Sequence, residues 1–309
     1  MVKGNKNMLV LVTGVGGQLG YDVSLELLKR NHRVIGTDLS ISRITAKNYC
    51  HYNMDITDEI KVSEIITNTK PDAVIHCAAW TAVDDAEDVD KLELVRKINV
   101  EGTHNIVKAC KNIGAKMMYI STDYVFDGSG KEPWDPDCKK FKPLNFYGQT
   151  KLEGEFAVSE SLDKYFIVRI AWVFGLNGNN FIKTMLKLSN THKSLKVVKD
   201  QVGTPTYTGD LSRLLIDMIE SDKYGYYHAT NEGGYISWYD FACEIFKQAD
   251  IDVEVIPVNT AEYGISKAKR PFNSRLNKDK LIKNGFKPLP TYQDAIKRYL
   301  KEMEVFNDE

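Results

Sequence analysis

Tyr147 and Lys151 stand four residues apart in the segment Tyr147-Gly-Gln-Thr-Lys151. On a helix that spacing puts a phenol and an ammonium on one face. A free tyrosine titrates near ~10, too high for ready proton exchange at neutral pH. A lysine charge at ~4 Å, with an effective dielectric of ~20, is worth ~4 kcal/mol, or roughly 3 pKa units. The pairing would make Tyr147 a usable general acid or base. The spacing alone carries little information. With 16 tyrosines and 32 lysines in 309 residues, about 1.7 such pairs arise by chance, and the chain holds two, the second being Tyr263 with Lys267. Context separates them. Ser121 and Thr122 end an apolar strand-like run 25–26 residues before Tyr147, and no such run precedes Tyr263 at that distance. A hydroxyl at the C-terminal end of a strand lies at the rim where open α/β sheets bind ligands. Thr122 would hydrogen-bond a substrate carbonyl beside Tyr147, or would merely cap the turn. Asn99, polar within an otherwise packed helical stretch, would hold a water between Lys151 and the backbone, or is a satisfied core amide.

A second constellation lies near the start. Residues 9–20 read LVLVTGVGGQLG, with Gly14, Gly17 and Gly20 spaced G-x-x-G-x-x-G between a strand-like run and a helical one. A diphosphate can approach such a backbone with no side chain in the way, and the helix N-terminal amides then face its charge. The bland reading is a tight turn with close helix–sheet packing. Asp38 ends the next strand-like run, 18 residues after Gly20. A carboxylate there accepts ribose hydroxyls and repels a 2′-phosphate, so the lean is toward NAD over NADP, with Arg43 five residues on able to offset that repulsion. Asp55 and Ile56, after the following strand, would sit beside the adenine.

The elements that must position these residues alternate. Strand-like runs at Met8–Thr13, Arg33–Thr37, Tyr49–Asn53, Pro71–Cys77, Lys116–Ser121 and Phe166–Ala171 are separated by helical patterns at Leu19–Arg30, Val62–Thr69 and about Val89–Ile113. Alternation of this kind implies βαβ units and a parallel sheet with helices on both faces. From about Gly175 turns are more frequent. Helical patterns at Phe181–Leu188, Asp210–Ile219, Trp238–Ala249 and Thr291–Glu302 mix with short strands at Lys196–Val198, Gly225–Ala229 and Val253–Val255. The expectation is an α/β, doubly wound Rossmann-type domain over residues 1–175 and a smaller α/β substrate lobe over 176–309, partly interleaved with it.

Composition narrows the partners. Lys and Arg number 41 against 42 Asp and Glu, a net charge of -1, which argues against a broad surface for nucleic acid or anionic lipid. No apolar run approaches the ~18 residues of a membrane span. The five cysteines, Cys50, Cys77, Cys110, Cys138 and Cys243, contain no C-x-x-C pair. A disulfide framework or zinc site is not expected, and a reducing, cytoplasmic setting fits. The polar segment Met1–Asn7 reads as a frayed extension rather than a signal peptide. His76 and Cys77, ending a buried strand, read as core residues.

The glycine turn with Thr122, Tyr147 and Lys151 resembles the extended short-chain dehydrogenase/reductase superfamily. An ordered set of segments is similar to one family within it, dTDP-4-dehydrorhamnose reductase: GGQLG (16–20), AAWTAVDDAE (78–87), STDYVFDG (121–128), PLNFYGQTKLEGE (143–155), RIAWVFG (169–175), DQVGTPTYTGDL (200–211), ISWYDFACEIF (236–246) and RPFNSRL (270–276). The resemblance covers nearly the whole chain from Met8. It implies hydride transfer from NADH or NADPH to the C4 keto group of a dTDP-4-dehydro-6-deoxy-L-sugar, giving dTDP-L-rhamnose. It implies that Tyr147 protonates the C4 oxygen, that Lys151 lowers the tyrosine pKa and binds the nicotinamide ribose, and that Thr122 orients the carbonyl. It adds Gln18, Leu19, Ala78 and Ala79 to the cofactor residues. It assigns Thr81, Val83, Asp123, Trp172, Arg270, Asn273 and Ser274 to the sugar nucleotide. The partner it implies is a small-molecule nucleotide sugar, with a homodimer allowed and no metal assigned. Two alternatives keep the same residues: a nucleotide-sugar epimerase or dehydratase of the superfamily, and a non-catalytic nucleotide-binding regulatory subunit.

Overall fold

Val10, Leu11 and Val12 are wholly buried because both faces of their strand are covered, and this double burial sets the plan of the first half of the chain. The computed structural model describes residues 7–264 and 266–307. The frayed extension expected over residues 1–7 lies, Asn7 apart, outside the described residues. Strand β1 (Leu9–Thr13) leads through the glycine turn into α1 (Gln18–Lys29), β2 (Arg33–Asp38), β3 (Tyr49–Asn53), α2 (Glu59–Thr69) and β4 (Ala73–His76). The long helical stretch expected up to Ile113 is α3 (Leu92–Arg96), a π-helical turn (Lys97–Glu101) and α4 (Gly102–Ile113) run together. Next come β5 (Lys116–Thr122), α5 (Phe146–Ser161) and β6 (Tyr165–Ile170).

The second half holds β7 (Val173–Phe174), α6 (Phe181–Ser189), β8 (Ser194–Val198), β9 (Val202–Gly203), β10 (Thr206–Tyr207) and α7 (Thr208–Ile219). It continues with β11 (Gly225–His228), β12 (Ile236–Ser237), α8 (Trp238–Gln248), β13 (Glu254–Val258), α9 (Thr260–Tyr263), α10 (Asp279–Lys283) and α11 (Tyr292–Asn307).

The main sheet is parallel throughout, in the order β3-β2-β1-β4-β5-β6-β11. The chain begins at the centre, runs to one edge, returns to β4 and runs to the other edge. The crevice of such a doubly wound sheet opens where the direction reverses, between β1 and β4. On one face Val23 and Leu27 of α1 and Leu211, Leu214 and Leu215 of α7 pack on the sheet. On the other lie Val62 and Ile65 of α2, Ile106 of α4 and Ala157 of α5. A separate core built on Phe174, Phe241, Ile245 and Tyr299 holds the smaller lobe, where β8 pairs with β13.

One assignment changes. The run Gly225–Ala229, expected in the smaller lobe, supplies the seventh strand of the main sheet by pairing β11 with β6. Phe166, Ile167, Val168 and Arg169 of β6 are fully buried, so that strand needs a hydrogen-bonding neighbour on both sides. Helix α7 covers the same sheet, beside α1.

A buried ion pair fixes α5 to this sheet. Arg169 on β6 donates from Nε and Nη2 to the two carboxylate oxygens of Glu155 on α5, at 2.8 and 2.7 Å, with both side chains essentially unexposed. Ser121 on β5 donates to Glu155 Oε1 at 2.5 Å, and Arg169 Nη1 donates to the Pro136 carbonyl at 3.1 Å. The guanidinium carbon also lies about 5 Å from the rings of Phe126, Phe141 and Tyr226. Removing one partner of such a pair strands a buried charge. Arg169→Met alone is expected to cost about 3–5 kcal/mol of unfolding free energy in chemical denaturation, with Arg169→Met/Glu155→Leu recovering most of it. A loss below about 1 kcal/mol for the single change would contradict this account.

Candidate active site

The turn after β1 is shaped by what a side chain would strike. Gly14 has φ +72, and a Cβ there would lie 2.8 Å from the backbone of Ala78. A Cβ on Gly20 would lie 2.2 Å from the Gly14 carbonyl oxygen, so only glycine lets α1 start this close to the turn. The N-cap of α1 is Gly17, with no side-chain cap, which leaves the first amides of the helix available to an anion. Asp38 closes the far side. Its Oδ2 accepts from the Gly16 amide at 2.9 Å, and its Oδ1 accepts from the amide and hydroxyl of Ser40 at 3.0 and 2.9 Å. From the second half of the chain, Asn177 donates to the Gly16 carbonyl and Asn180 to Gln18 Oε1, at 2.8 and 3.1 Å. These features fit a dinucleotide cofactor: a side-chain-free approach, unused amides and a carboxylate at ribose distance in the sequence.

Helix α5 delivers the reacting groups. Asn145 caps it, its Oδ1 accepting from Gly148 N at 2.8 Å while its Nδ2 donates to the Lys269 carbonyl at 2.8 Å. Tyr147 and Lys151 therefore fall one turn apart on the face turned to the crevice, and both are buried. Thr122, the last residue of β5, hydrogen-bonds the Tyr147 phenol. Its Oγ1 also donates to Asp123 Oδ1 and accepts from Tyr124 N, at 3.1 and 3.2 Å. Lys151 Nζ sits 4.1 Å from the centre of the Tyr119 ring.

Burial, and not the Tyr–Lys spacing, governs the charge state of both groups. Burial holds Tyr147 well above its ordinary value; the Thr122 hydrogen bond pulls it down and Asp123 pushes it up, without offsetting burial. Burial also brings Lys151 down to about 7, against the upward pull of Glu155 and Cys77. The dielectric assumed for a partly wetted pair does not describe two side chains this deep. Tyr147 therefore stays protonated at neutral pH, as a proton donor must.

One cavity of about 1010 Å³ joins the two constellations. Gly14, Gly17, Gln18, Leu19, Gly20, Asp38, Asp55, Ile56, Ala78 and Ala79 line it, as do Thr81, Val83, Thr122, Asp123, Tyr147, Lys151, Trp172 and Arg270. Arg270 is held by a bidentate pair with Asp84, at 3.1 and 2.7 Å. Trp172 has φ +50, and its indole stacks on Trp238, with centroids 3.8 Å apart and planes 19° from parallel. The carboxyl of Asp123 is pushed up to about 6 by burial, with Ser274 and Thr122 pulling the other way, and its Oδ2 has no hydrogen-bond partner among the described residues.

Three expected residues lie behind the cavity wall. Asn99 is a satisfied amide: its Oδ1 accepts from Trp80 N at 2.8 Å, and its Nδ2 donates to the Trp80 carbonyl and to Thr150 Oγ1 at 3.2 and 3.0 Å. Both Nδ2 hydrogens are used, while Oδ1 keeps one free lone pair. Asn273 donates to the carbonyls of Ser129 and Glu132 and accepts from Arg275, which organises the loop after Gly128. Ser274 supports Asp123. Sequence reasoning missed Lys97, Asn179 and Trp238, which do line the cavity. Trp238 opens an amphipathic helix and reads as core from its spacing. Cys77, expected as plain core, also reaches the cavity, its thiol pushed up to about 12 by burial. His76 is a core residue: it bonds Thr13 and Thr103, and burial pushes it down to about 3. Lys267 pairs with Asp88 at 2.6 Å, away from any hydroxyl-ended strand.

A glycine turn at the switch point of a parallel, doubly wound sheet, facing a Thr–Tyr–Lys set across one crevice, defines a nucleotide-dependent oxidoreductase of the short-chain dehydrogenase/reductase type. The family model described as the RmlD substrate binding domain matches residues 8–305. A solved dTDP-4-dehydrorhamnose reductase from Clostridium acetobutylicum superposes with a TM-score of 0.88 at 42% identity, covering 96% of this chain and 100% of that one. Another from Bacillus anthracis, solved in complex with NADP, gives 0.87 at 38%, with the same coverage. A dTDP-4-dehydrorhamnose reductase of Aggregatibacter actinomycetemcomitans is 39% identical over 305 residues, spanning 93% of this chain and 97% of its own. The chain belongs to the dTDP-4-dehydrorhamnose reductase family.

The raised carboxyl of Asp123 has a stability consequence. A folded-state pKa above the ordinary carboxylate value contributes stability that is full below about pH 4 and lost as pH rises through about 6. Asp123→Asn is therefore expected to raise the melting temperature above pH 6, by up to ~3 kcal/mol in free energy, and to change little near pH 4. Equal effects at both pH values would show that the carboxyl is not the source.

Proposed function

We propose that this protein reduces the C4 keto group of dTDP-4-dehydro-6-deoxy-L-hexose to dTDP-L-rhamnose at the expense of NADH or NADPH. The observation that carries the reading is the convergence of Thr122, Tyr147 and Lys151 on the same cavity as the uncapped start of α1. A bound reduced nicotinamide supplies the hydride for C4. Residues 1–175, with the returning α7 and β11, would hold the cofactor, and the smaller lobe would close over the sugar nucleotide.

The chain's own groups do the rest. The Thr122 hydroxyl and Tyr147 phenol grip the carbonyl oxygen, which fixes which face of C4 is open. As the C–H bond forms, Tyr147 gives its proton to that oxygen, so the ketone becomes a secondary alcohol and the phenolate is left behind. The Lys151 ammonium stabilises the phenolate until a proton returns from solvent. Asp123 Oδ2 is an open acceptor for a sugar hydroxyl. The Trp172–Trp238 stack offers an apolar wall to the sugar face, and Arg270, preset by Asp84, is placed for the diphosphate. No helix among the described residues is long and apolar enough to cross a membrane. All five cysteines are free, which suits the reducing cytoplasm.

The test is oxidation of NADH or NADPH, followed at 340 nm, with the dTDP-keto-sugar as substrate and the product identified by NMR. One cofactor consumed per dTDP-L-rhamnose formed is expected; a folded protein with no oxidation between pH 6 and 9 would sink the reading. Product formed without net cofactor use would point to epimerisation. Tyr147→Phe should cut kcat by at least ~100-fold while leaving the cofactor Kd within a few-fold.

Asp38 makes a finer case for NADH. Its carboxylate oxygens accept from the Gly16 amide and from Ser40, neutral donors that leave the negative charge to oppose a 2′-phosphate. The kcat/KM ratio of NADH over NADPH should exceed ~10, and Asp38→Ala should lower that ratio by at least tenfold. An unchanged ratio would remove Asp38 as the selector.

A further inference from the structure

Tyr119 is a core strand residue that the reaction just described does not use, yet it touches Lys151 at both ends. Its ring lies 4.1 Å below the ammonium. Its hydroxyl donates to the Lys151 backbone carbonyl at 3.2 Å. The residue is wholly buried. The next turn of α5 is shaped around it: a Cβ on Gly154 would lie 2.2 Å from the Tyr119 oxygen, so the helix presses on the phenol only because residue 154 is glycine. On strand β5 the alternation puts Tyr119 under Lys151 and Ser121 under Glu155, both facing α5. His76 stands on another side of the ring, with centroids 5.9 Å apart.

We propose that Tyr119 is a positioning residue for the reduction, holding the Lys151 ammonium beside Tyr147 with its ring face and fixing the helix backbone with its hydroxyl. The inference rests on the role given to Lys151 under Proposed function. The physical need is plain. Lys151 is deep in the protein, and the groups that face it are few: Tyr147 and Glu155 on its own helix, His76 and Cys77 at the end of β4, and Tyr119 on β5. Burial keeps the His76 ring uncharged and the Cys77 thiol protonated at neutral pH. Glu155 is already committed to Arg169. The pull of Glu155 toward the cation remains, and the electron-rich face of Tyr119, 4.1 Å from the ammonium, adds to it; desolvated cation–π contacts are among the stronger ones.

The full-length protein carrying Tyr119→Phe, Tyr119→Leu, Lys151→Met and the pair Tyr119→Leu/Lys151→Met would be assayed for kcat/KM against pH. Melting curves and NADH dissociation constants would be measured alongside. Tyr119→Phe keeps the ring and should stay within about threefold of the parent, with the same alkaline limb. Tyr119→Leu should lose about tenfold or more at pH 7.5, with the alkaline limb moved about one pH unit toward acid, as a lost contact worth a factor of ten implies. Tyr119→Leu should cost nothing further once Lys151 is Met. If Tyr119→Leu does not fold, ring-fluorinated phenylalanines at position 119 keep the shape and weaken the ring face; the limb should then move acidward with each added fluorine. A folded Tyr119→Leu or a fluorinated protein with the parent's limb would overturn the proposal, as would full additivity with Lys151→Met. Lys151→Met with parental turnover would instead overturn the role of the lysine itself.

Discussion

The ion pair between Glu155 and Arg169 is the constraint on which the site depends. Helix α5 carries Tyr147 and Lys151, β5 carries Thr122, and the three must meet to within a hydrogen bond. Glu155 is bound by Arg169 of β6 and Ser121 of β5 together, so one carboxylate sets the height of the helix over two neighbouring strands. Arg169 reaches on to the Pro136 carbonyl and so also anchors the loop between Thr122 and Tyr147. Apolar packing alone would let α5 slide along the sheet, whereas a bidentate pair tolerates little displacement before a buried charge loses its partner.

Small residues let backbones approach at both halves of the site. Gly20 allows α1 onto the turn, and Gly154 allows α5 onto Tyr119. Between them the π-helical turn at Lys97–Glu101 re-aims a helix that would otherwise run straight past, bringing Asn99 under Trp80 and Thr150. The amide of Asn99 thus ties the loop after β4 to α5.

The alternation of strands and helices, the glycine turn and the Tyr–Lys face were readable because each follows from local spacing. Tyr147 was separable from Tyr263 by the strand ending in Thr122, and the structure gives Lys267 a surface carboxylate instead. Other features were not readable because they are set across the fold. Lys151 and Tyr147 respond to burial, which spacing does not report. Asn99, Asn273 and Ser274 are polar residues whose partners come from distant segments, as with Asn273 and Ser129, 144 positions apart. Trp238 reads as a core residue by its helical period and turns out to serve core and cavity at once. The place of β11 depends on the need of β6 for a neighbour, a requirement visible only when the sheet is assembled.

That last strand has a consequence for how the molecule is made. β6 leaves the ribosome some sixty residues before β11, and until β11 arrives β6 is an open parallel edge whose inner residues are destined for complete burial. Parallel edges of this kind template pairing with other chains, and pairing over such a separation is slow. The main-sheet half cannot finish folding when its own residues are complete, because its last strand and the helix α7 that packs with α1 are encoded inside the other half. Folding of the two regions is therefore obligatorily joint, and the exposed side of β6 is the stretch that chaperones would have most reason to hold during synthesis.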